Sequence, residues 1–455
     1  MTLIPDFGGC FGDKRLDDRG GRVFGRMVEK KSCTLRRLGG GRAEEVAVGR
    51  FLGNDKVSAE AILAAARGPL AAAAAGCHVL AIQDTSEVNF QHHAGRVRGL
   101  GAGGNGCDRA LFVHPVIAVG AESGALLGIA GAQLWTRDEP PPERDYRTLA
   151  IEDKESYRWL LGAEQAKAAL GQAARVTVIG DRESDIFELL DRVPDARCDV
   201  LVRVSRNRRT AADERLFVVA DTWPEAHRYD FRIRAQPGRA ARTATVAVRY
   251  GPLTIHRPRR CTDPQASASL DLHVVDVREV GGPAKGAVHW RLLTSHAVES
   301  VEDALRIIAW YRLRWHIEQI FRTLKRQGLD IESSQVASAA ALIKLSAMAM
   351  VAAVHIMQLV LARDGTLDRP ATDVIAPGLM PVATALQREL EGKTRAQKNP
   401  HAYGSLAWLS WIVARLGGWK GYKSERPPGP ITMGHGWRQF QEMAHGWALR
   451  DMCMP

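Results

Sequence analysis

At 455 residues, with 45% hydrophobic and 25% charged side chains, the chain has ordinary globular composition and a length suited to roughly two to four domains, which excludes a fibrous or disordered protein. Its formal net charge of +11 points toward a polyanion, of which nucleic acid is the commonest. Cysteines at 10, 33, 77, 107, 198, 261 and 453 form no C-x-x-C pair, which argues against a disulfide framework or a structural zinc site and suits a reducing cytosol.

The amino-terminal string MTLIPDFGGCFGDKRLDD meets a charged block before any apolar run long enough for a signal peptide. Residues 1–70 alternate basic helix-like pieces with Gly-rich breaks, clearest at 38–41, and end in a helical repeat over 57–67. Ser58 is placed to cap that helix and Pro69 to end or kink it. From His78 the pattern changes to short runs rich in Val and Ile, which predict strands over 79–82, 111–119, 125–130 and 176–179. Helical stretches over 154–170 and 186–193 flank the last of these, so the segment reads as an α/β layer with a mixed sheet.

Between 201 and 293 the chain again alternates as strands do, in 244–250 and 270–276, with turn signals at Gln236-Pro-Gly238 and Gly281-Gly-Pro283. This predicts a β-rich insertion. From Arg203 to Arg260 there are fourteen Arg and no Lys against five acids, a net +9. That makes a candidate DNA-contacting face containing Arg203, Arg206, Arg208 and Arg209, although a solvated Arg-rich surface has the same composition. Long helices are predicted over 301–326 and 338–363. Residues 345–362 carry no formal charge, the lower limit for a membrane span, but Ser346, His355, Gln358 and many Ala favour a helix buried inside the protein, with no membrane partner. The tail from Asp364 holds Pro and Gly clusters between shorter helices.

Two acids follow two of the predicted core strands: Asp84 in Ala81-Ile-Gln-Asp-Thr-Ser86 and Asp181 in Val178-Ile-Gly-Asp-Arg-Glu-Ser-Asp185. Such a pair can face one another across a sheet edge and suits Mg²⁺, which takes a few carboxylates in oxygen geometry. An Asp after a strand is also a common turn former or helix cap. The segment 310–325 is more specific. Tyr311, Arg314, Glu318 and Lys325 have offsets of three, seven and fourteen, which on a continuous α-helix places all four within an arc of about 60°. Glu318 can complete a metal site, and Lys325, about 10 Å further along, can hold a phosphate instead. Tyr311 and Arg314 add a hydroxyl and a planar charged fork suited to the DNA backbone.

This Tyr, Arg, Glu, Lys spacing resembles the signature of the bacterial cut-and-paste transposases of the insertion sequence four family. The strings around Asp84 and Asp181 look like that family's two Asp motifs, and Glu152-Asp-Lys-Glu-Ser156 like a string between them. Phe51-Leu-Gly-Asn54, Arg415-Leu-Gly-Gly418 and Arg426-Pro-Pro-Gly429 also fit.

The resemblance implies an α/β fold with a ribonuclease-H-like catalytic core, a mixed sheet with flanking helices, at 71–205 and 298–370. A β-rich insertion at 206–297 interrupts it. A helical DNA-end-recognition domain at 1–70 and a helical, dimerising domain at 371–455 flank it. Asp84, Asp181 and Glu318 are then the catalytic metal ligands for two Mg²⁺ ions, or Mn²⁺. Tyr311, Arg314, Lys325, Arg322 and the arginines named above contact DNA, and Trp290 stacks on a base expelled from a hairpin. The partners are double-stranded DNA, as transposon ends and target, and a second copy of the chain in the DNA complex, in the bacterial cytoplasm at the nucleoid. Gly20, Gly21 and Gly25 depart from the family by falling inside an expected helix, at about 1 kcal/mol each relative to Ala. Two other readings stay open: a silent DNA-binding relic or inhibitor, and a structure-selective nuclease without strand transfer. Lys325 and Trp290 separate plain cutting from hairpin handling.

Overall fold

The structure, a computed structural model, describes residues 5, 7–30, 32–93, 99–137, 149–233, 240–283, 286–326, 328–422 and 424–453. Its strands are β1 (His78–Gln83), β2 (Ser86–Asn89), β3 (Gly101–Ala102), β4 (Arg109–Gly120), β5 (Leu126–Trp135), β6 (Arg175–Gly180) and β7 (Cys198–Arg203), followed by β8 (His227–Ile233), β9 (Arg242–His256), β10 (Ser269–Glu279) and β11 (His289–Thr294). They form one mixed sheet in the order β2-β4-β1-β6-β7-β11-β10-β9-β8, with β3 and β5 also against β4. The pairs β1–β6 and β6–β7 are parallel, and the remaining pairs are antiparallel. Of the four strands predicted first, three lie within β1, β4 and β6, and the run 125–130 overlaps β5 from Leu126 onward. The β-rich stretch does not stand apart as a second layer, because β11 returns to pair with β7 and joins its meander to the same sheet. The turn expected at Gln236-Pro-Gly238 lies outside the described residues.

Alternation along the central strands divides the core between two faces. Leu80 and Ile82 of β1, Ile179 of β6 and Leu201 of β7 point into one apolar cluster, whereas Val79 and Ala81, Val176 and Val178, and Val200 and Val202 point into the other. Period-two alternation in a sheet covered on both sides produces this partition. Helices Arg158–Ala169 and Phe187–Arg192 cover the second face. Over the first face lie Trp315–Lys325 and Ala339–Ala362.

Ala339–Ala362 is long and apolar enough to cross a membrane, with a mean hydropathy of 2.0 in its most apolar window, but 94% of that window is buried inside the protein. His355 and Gln358 have protein partners, whereas the Ser346 hydroxyl is buried without a hydrogen bond among the described residues. The Gln358 amide donates to the carbonyls of Leu126 at 3.3 Å and Leu127 at 3.0 Å, and His355 Nδ1 lies 3.0 Å from the Val351 carbonyl. Amino-terminal helices and the last helices pack around it in one shared core.

The helix Lys14–Lys30 runs straight through Gly20, Gly21 and Gly25. A Cβ on Gly20 would stand 2.8 Å from the Phe11 ring and 3.4 Å from those of Phe7 and Phe51, so this glycine lets the helix lie on three aromatic rings. That burial offsets its poor helix propensity.

The helix expected over 301–326 is two helices, Val301–Leu313 and Trp315–Lys325. Ser300 and Asp303 form a reciprocal capping box at the start of the first. At Arg314 the ladder tightens: its amide bonds the Tyr311 carbonyl and its carbonyl accepts from Ile317 N–H, each at 3.1 Å. Ile317, Ile320 and Leu324 dock the second helix on the sheet, while Trp315 is half-buried beneath the Arg322 guanidinium rather than in the core. Ile317→Ala should therefore cost about 2–5 kcal/mol of unfolding free energy in a urea titration, as other large-to-small core changes do. Arg322→Ala should stay within about 0.5 kcal/mol; equal losses would contradict this docking.

Candidate active site

The register of β1 and β6 builds the site. Ile82 pairs with Ile179 in parallel, so Asp84 and Asp181, each two residues further on, leave adjacent strands at one level. Neighbouring strands are about 4.8 Å apart. Each acid first serves its own turn: Asp84 Oδ1 accepts the Thr85 N–H at 2.8 Å, and Asp181 Oδ1 accepts the Glu183 N–H at 2.8 Å, capping the turn Arg182–Ser184. The capping role of an Asp after a strand is thus real, and it uses one oxygen of each carboxylate. Gly180 is required beside Asp181, because a Cβ there would stand 2.3 Å from Ser184 Oγ and 3.0 Å from the Trp159 ring.

Glu318 arrives from the helix above. Arg314, at the junction of the two helices, donates from Nη1 to Asp84 Oδ2 at 2.8 Å and from Nη2 to Glu318 Oε1 at 2.6 Å. One guanidinium therefore stands between the acid of the sheet and the acid of the helix. Burial raises Asp84 to about 7, helped by the charge of Asp181 and, more weakly, of Glu318, against Arg314 and the Thr85 amide.

Tyr311 is buried, and Arg314 and Arg203 both interact with its hydroxyl; burial raises its pKa. Its ring meets Trp290 edge-on at 5.7 Å, and Trp290 meets Phe231 in the same way at 5.6 Å. Trp290 is thus partly packed on β11, with the remainder of its ring accessible. Lys325 stands apart from the carboxylates, 3.9 Å from Glu332, and burial lowers its pKa. The break at Arg314 means that the four signature residues do not lie on one continuous helix. Tyr311 belongs to the first helix and Glu318 and Lys325 to the second.

The arginines expected on DNA separate into groups. Arg203 donates to the His289 carbonyl at 2.9 Å and lines a cavity of about 260 Å³ with Arg182, Ser205, His289 and Arg291. Arg206 is exposed, Arg209 is exposed and paired with Asp213 at 2.7 Å, and Arg322 is exposed over Trp315. Arg208 is a correction: it is buried against the Asp185 carboxylate, and its guanidinium also donates to the Asp185 carbonyl at 2.9 Å. It holds the loop after β7 in place rather than facing a ligand. Arg182, unnoticed in the sequence, directly follows Asp181, and that adjacency was the available signal.

Among the described residues, no three Asp, Glu, His or Cys side chains are arranged to hold a single ion. The donor chemistry nonetheless fits a divalent cation. Asp84 and Asp181 offer hard oxygens, burial and then the nearby Asp181 raise Asp84, and the Arg314 cation already bonds Asp84 and Glu318 together.

Residues 162–353 match the family described as the transposase DDE domain. The match takes in Asp181 and Glu318, whereas Asp84 precedes it, and it supports a transposase of the DDE class. A solved structure, the cryo-EM structure of piggyBac transposase synaptic complex with hairpin DNA, aligns with 81% of this chain at 8% identity and a TM-score of 0.35. This chain spans 57% of that one, a likeness too loose to carry an argument.

The raised Asp84 has a consequence for stability. Its folded value, about 7, lies above its ordinary value of 3.8, so between these values the native state holds a proton that the unfolded chain releases. Stability falls as pH rises through that window. In the presence of a chelator, the urea midpoint should drop between about pH 5 and about pH 8, and Asp84→Asn should flatten that drop. An unchanged pH dependence in Asp84→Asn would contradict this electrostatic account.

Proposed function

We propose that this protein is a cut-and-paste DNA transposase of the bacterial cytoplasm, acting on the inverted-repeat ends of its own element and on target DNA as a homodimer joined through residues 371–455. One observation carries the reading: Asp84 and Asp181 leave adjacent parallel strands at one level, and Arg314 ties Asp84 to Glu318. The strand order β5-β4-β1-β6-β7, three antiparallel strands followed by two parallel ones, supports a ribonuclease-H-like core. On this reading β8 to β11 are the insertion.

Asp84, Asp181 and Glu318 would hold two Mg²⁺ ions, or Mn²⁺, which when bound supply activation of the attacking oxygen and stabilisation of the leaving one. The chain's own residues do the remaining work. Arg314 and Tyr311 grip the phosphate next to the scissile bond, Lys325 grips another along the same strand, and Arg203 and Arg206 steady the flanking backbone. Water attack on a phosphodiester at the element's end frees a 3′ hydroxyl. That hydroxyl attacks the opposite-strand phosphodiester, forming the hairpin and releasing the flanking strand's 3′ hydroxyl. A second water reopens the hairpin to restore the 3′ hydroxyl, and this displaces a 3′ hydroxyl in target DNA as the strands join. Trp290 receives the base expelled by the hairpin.

The direct test incubates the protein with its own flanking inverted repeat and Mg²⁺. Wild type should nick, hairpin and join the DNA, and Asp181→Ala should do none of these; cleavage surviving in Asp181→Ala overturns the mechanism. Trp290→Ala should slow hairpin formation by roughly tenfold while sparing the first nick, in keeping with about 1–3 kcal/mol for one base stacked on an aromatic ring. Equal losses at both steps would remove Trp290 from this role.

A further inference from the structure

A chain of buried and half-buried polar groups runs from the residue after Asp84 into the core. Arg158, at the start of the helix Arg158–Ala169, donates from Nε to Thr85 Oγ1 at 2.8 Å. Thr85 Oγ1 lies 2.8 Å from His114 Nδ1, and His114 Nε2 lies 3.0 Å from Gln83 Oε1. The Gln83 amide then donates to the Trp159 carbonyl at 3.1 Å. His114 and Gln83 are fully buried.

The proton order along this chain follows from its ends. A guanidinium only donates, so Thr85 accepts from Arg158; at the other end the Gln83 amide donates to the Trp159 carbonyl, which leaves Oε1 to accept from His114 Nε2–H and the neutral ring's Nδ1 to accept the Thr85 proton. The imidazole then carries its proton on Nε2 and donates to Gln83, whose amide ends on a backbone carbonyl. Burial holds His114 well below its ordinary pKa, which keeps it neutral, as this order needs. Gly162 leaves the room: a Cβ there would stand 2.2 Å from Gln83 Oε1.

The same guanidinium reaches the other motif loop. Arg158 Nη2 donates to Glu183 Oε2 at 2.7 Å, two residues past Asp181, and Nη1 donates to the Glu155 carbonyl at 3.0 Å. The Arg158 side chain is only 12% exposed, whereas Glu183 is 64% exposed, so the guanidinium itself is shielded from water and its Glu183 arm meets solvent. All three nitrogens are engaged, which a lysine cannot reproduce.

We propose that Arg158 is a positioning residue, which braces the loop after Asp84 to the loop after Asp181 and so sets the separation of the two carboxylates. Nothing in the motif around either acid announces it, since Arg158 lies between them in sequence and on a different element. The proposal rests on the metal-binding reading of Asp84 and Asp181, and the test keeps the two apart.

Mn²⁺ binding to the full-length protein without DNA, followed by paramagnetic resonance of the free ion, reads the brace without reading activity. Arg158→Lys should weaken Mn²⁺ binding about tenfold, the scale expected when a partner that orients metal ligands is lost. Thr85→Val, which keeps the shape and the Arg158–Glu183 pair, should weaken it less. Adding Thr85→Val to Arg158→Lys should bring less than the sum of the two effects. A purely structural role would lower the melting temperature of both variants and leave their Mn²⁺ affinity at the wild-type value. That result, with Mn²⁺ binding lost in Asp181→Ala, overturns the brace alone. Mn²⁺ bound equally well by Asp181→Ala overturns the two-carboxylate reading, and the brace with it.

Discussion

The parallel pairing of β1 with β6 is the constraint on which the site depends. With Ile82 opposite Ile179, the chain leaves both strands at one level, and two carboxylates emerge side by side. Burial there, reinforced by the like charge of Asp181, makes Asp84 hold its proton far above the usual carboxylate range. Arg314 answers part of that repulsion by bonding Asp84 and Glu318 at once. The tightened turn at Arg314 lets one side chain reach both acids. A slip of one residue in the β1–β6 register would turn Asp84 or Asp181 to the opposite face of the sheet and away from the helix that carries Glu318.

The rest of the molecule holds that arrangement still. The most apolar stretch of the helix Ala339–Ala362 is 94% buried, and Gln358 bonds to the carbonyls of β5, which ties the helix layer to the sheet. On the opposite side, the helix Arg158–Ala169 carries Arg158 and the Trp159 carbonyl, the two ends of the polar chain next to Asp84. Asp185 accepts from the backbone N–H groups of Ser205 and Arg206 and pairs with Arg208, which joins the second acidic motif to the loop after β7. These buried hydrogen bonds resist displacement, because each broken bond leaves an unsatisfied group in a dry interior.

Much of this was legible in the sequence. Short apolar runs rich in Val and Ile identified β1, β4, β5 and β6, and the position of Asp84 and Asp181 after strands was readable because run length and turn chemistry are local. The motif spacing around Glu318 was also visible, but the break at Arg314 was not. A helix interrupted by one tightened turn keeps the same apolar periodicity, and only the ion pairs made by Arg314 distinguish it. The short strands β2 and β3 gave too few residues for a pattern. Arg208 looked like its exposed neighbours, since composition carries no sign of which arginine meets a buried carboxylate across the fold. His114 and Gln83 could not be paired with Arg158 either, because their partners are set by strand pairing over long sequence separations. The glycines in the helix Lys14–Lys30 argued against it by propensity alone, whereas the rings of Phe7, Phe11 and Phe51 against Gly20 supply the tertiary reason.

The most direct measurement is a crystal structure of the protein grown with Mn²⁺, with anomalous scattering used to locate the ion. The account predicts Mn²⁺ held by Asp84 and Asp181, with the Arg314 guanidinium no longer bonded to Asp84. Mn²⁺ found only elsewhere, with the Arg314 bonds to Asp84 and Glu318 intact, would contradict it.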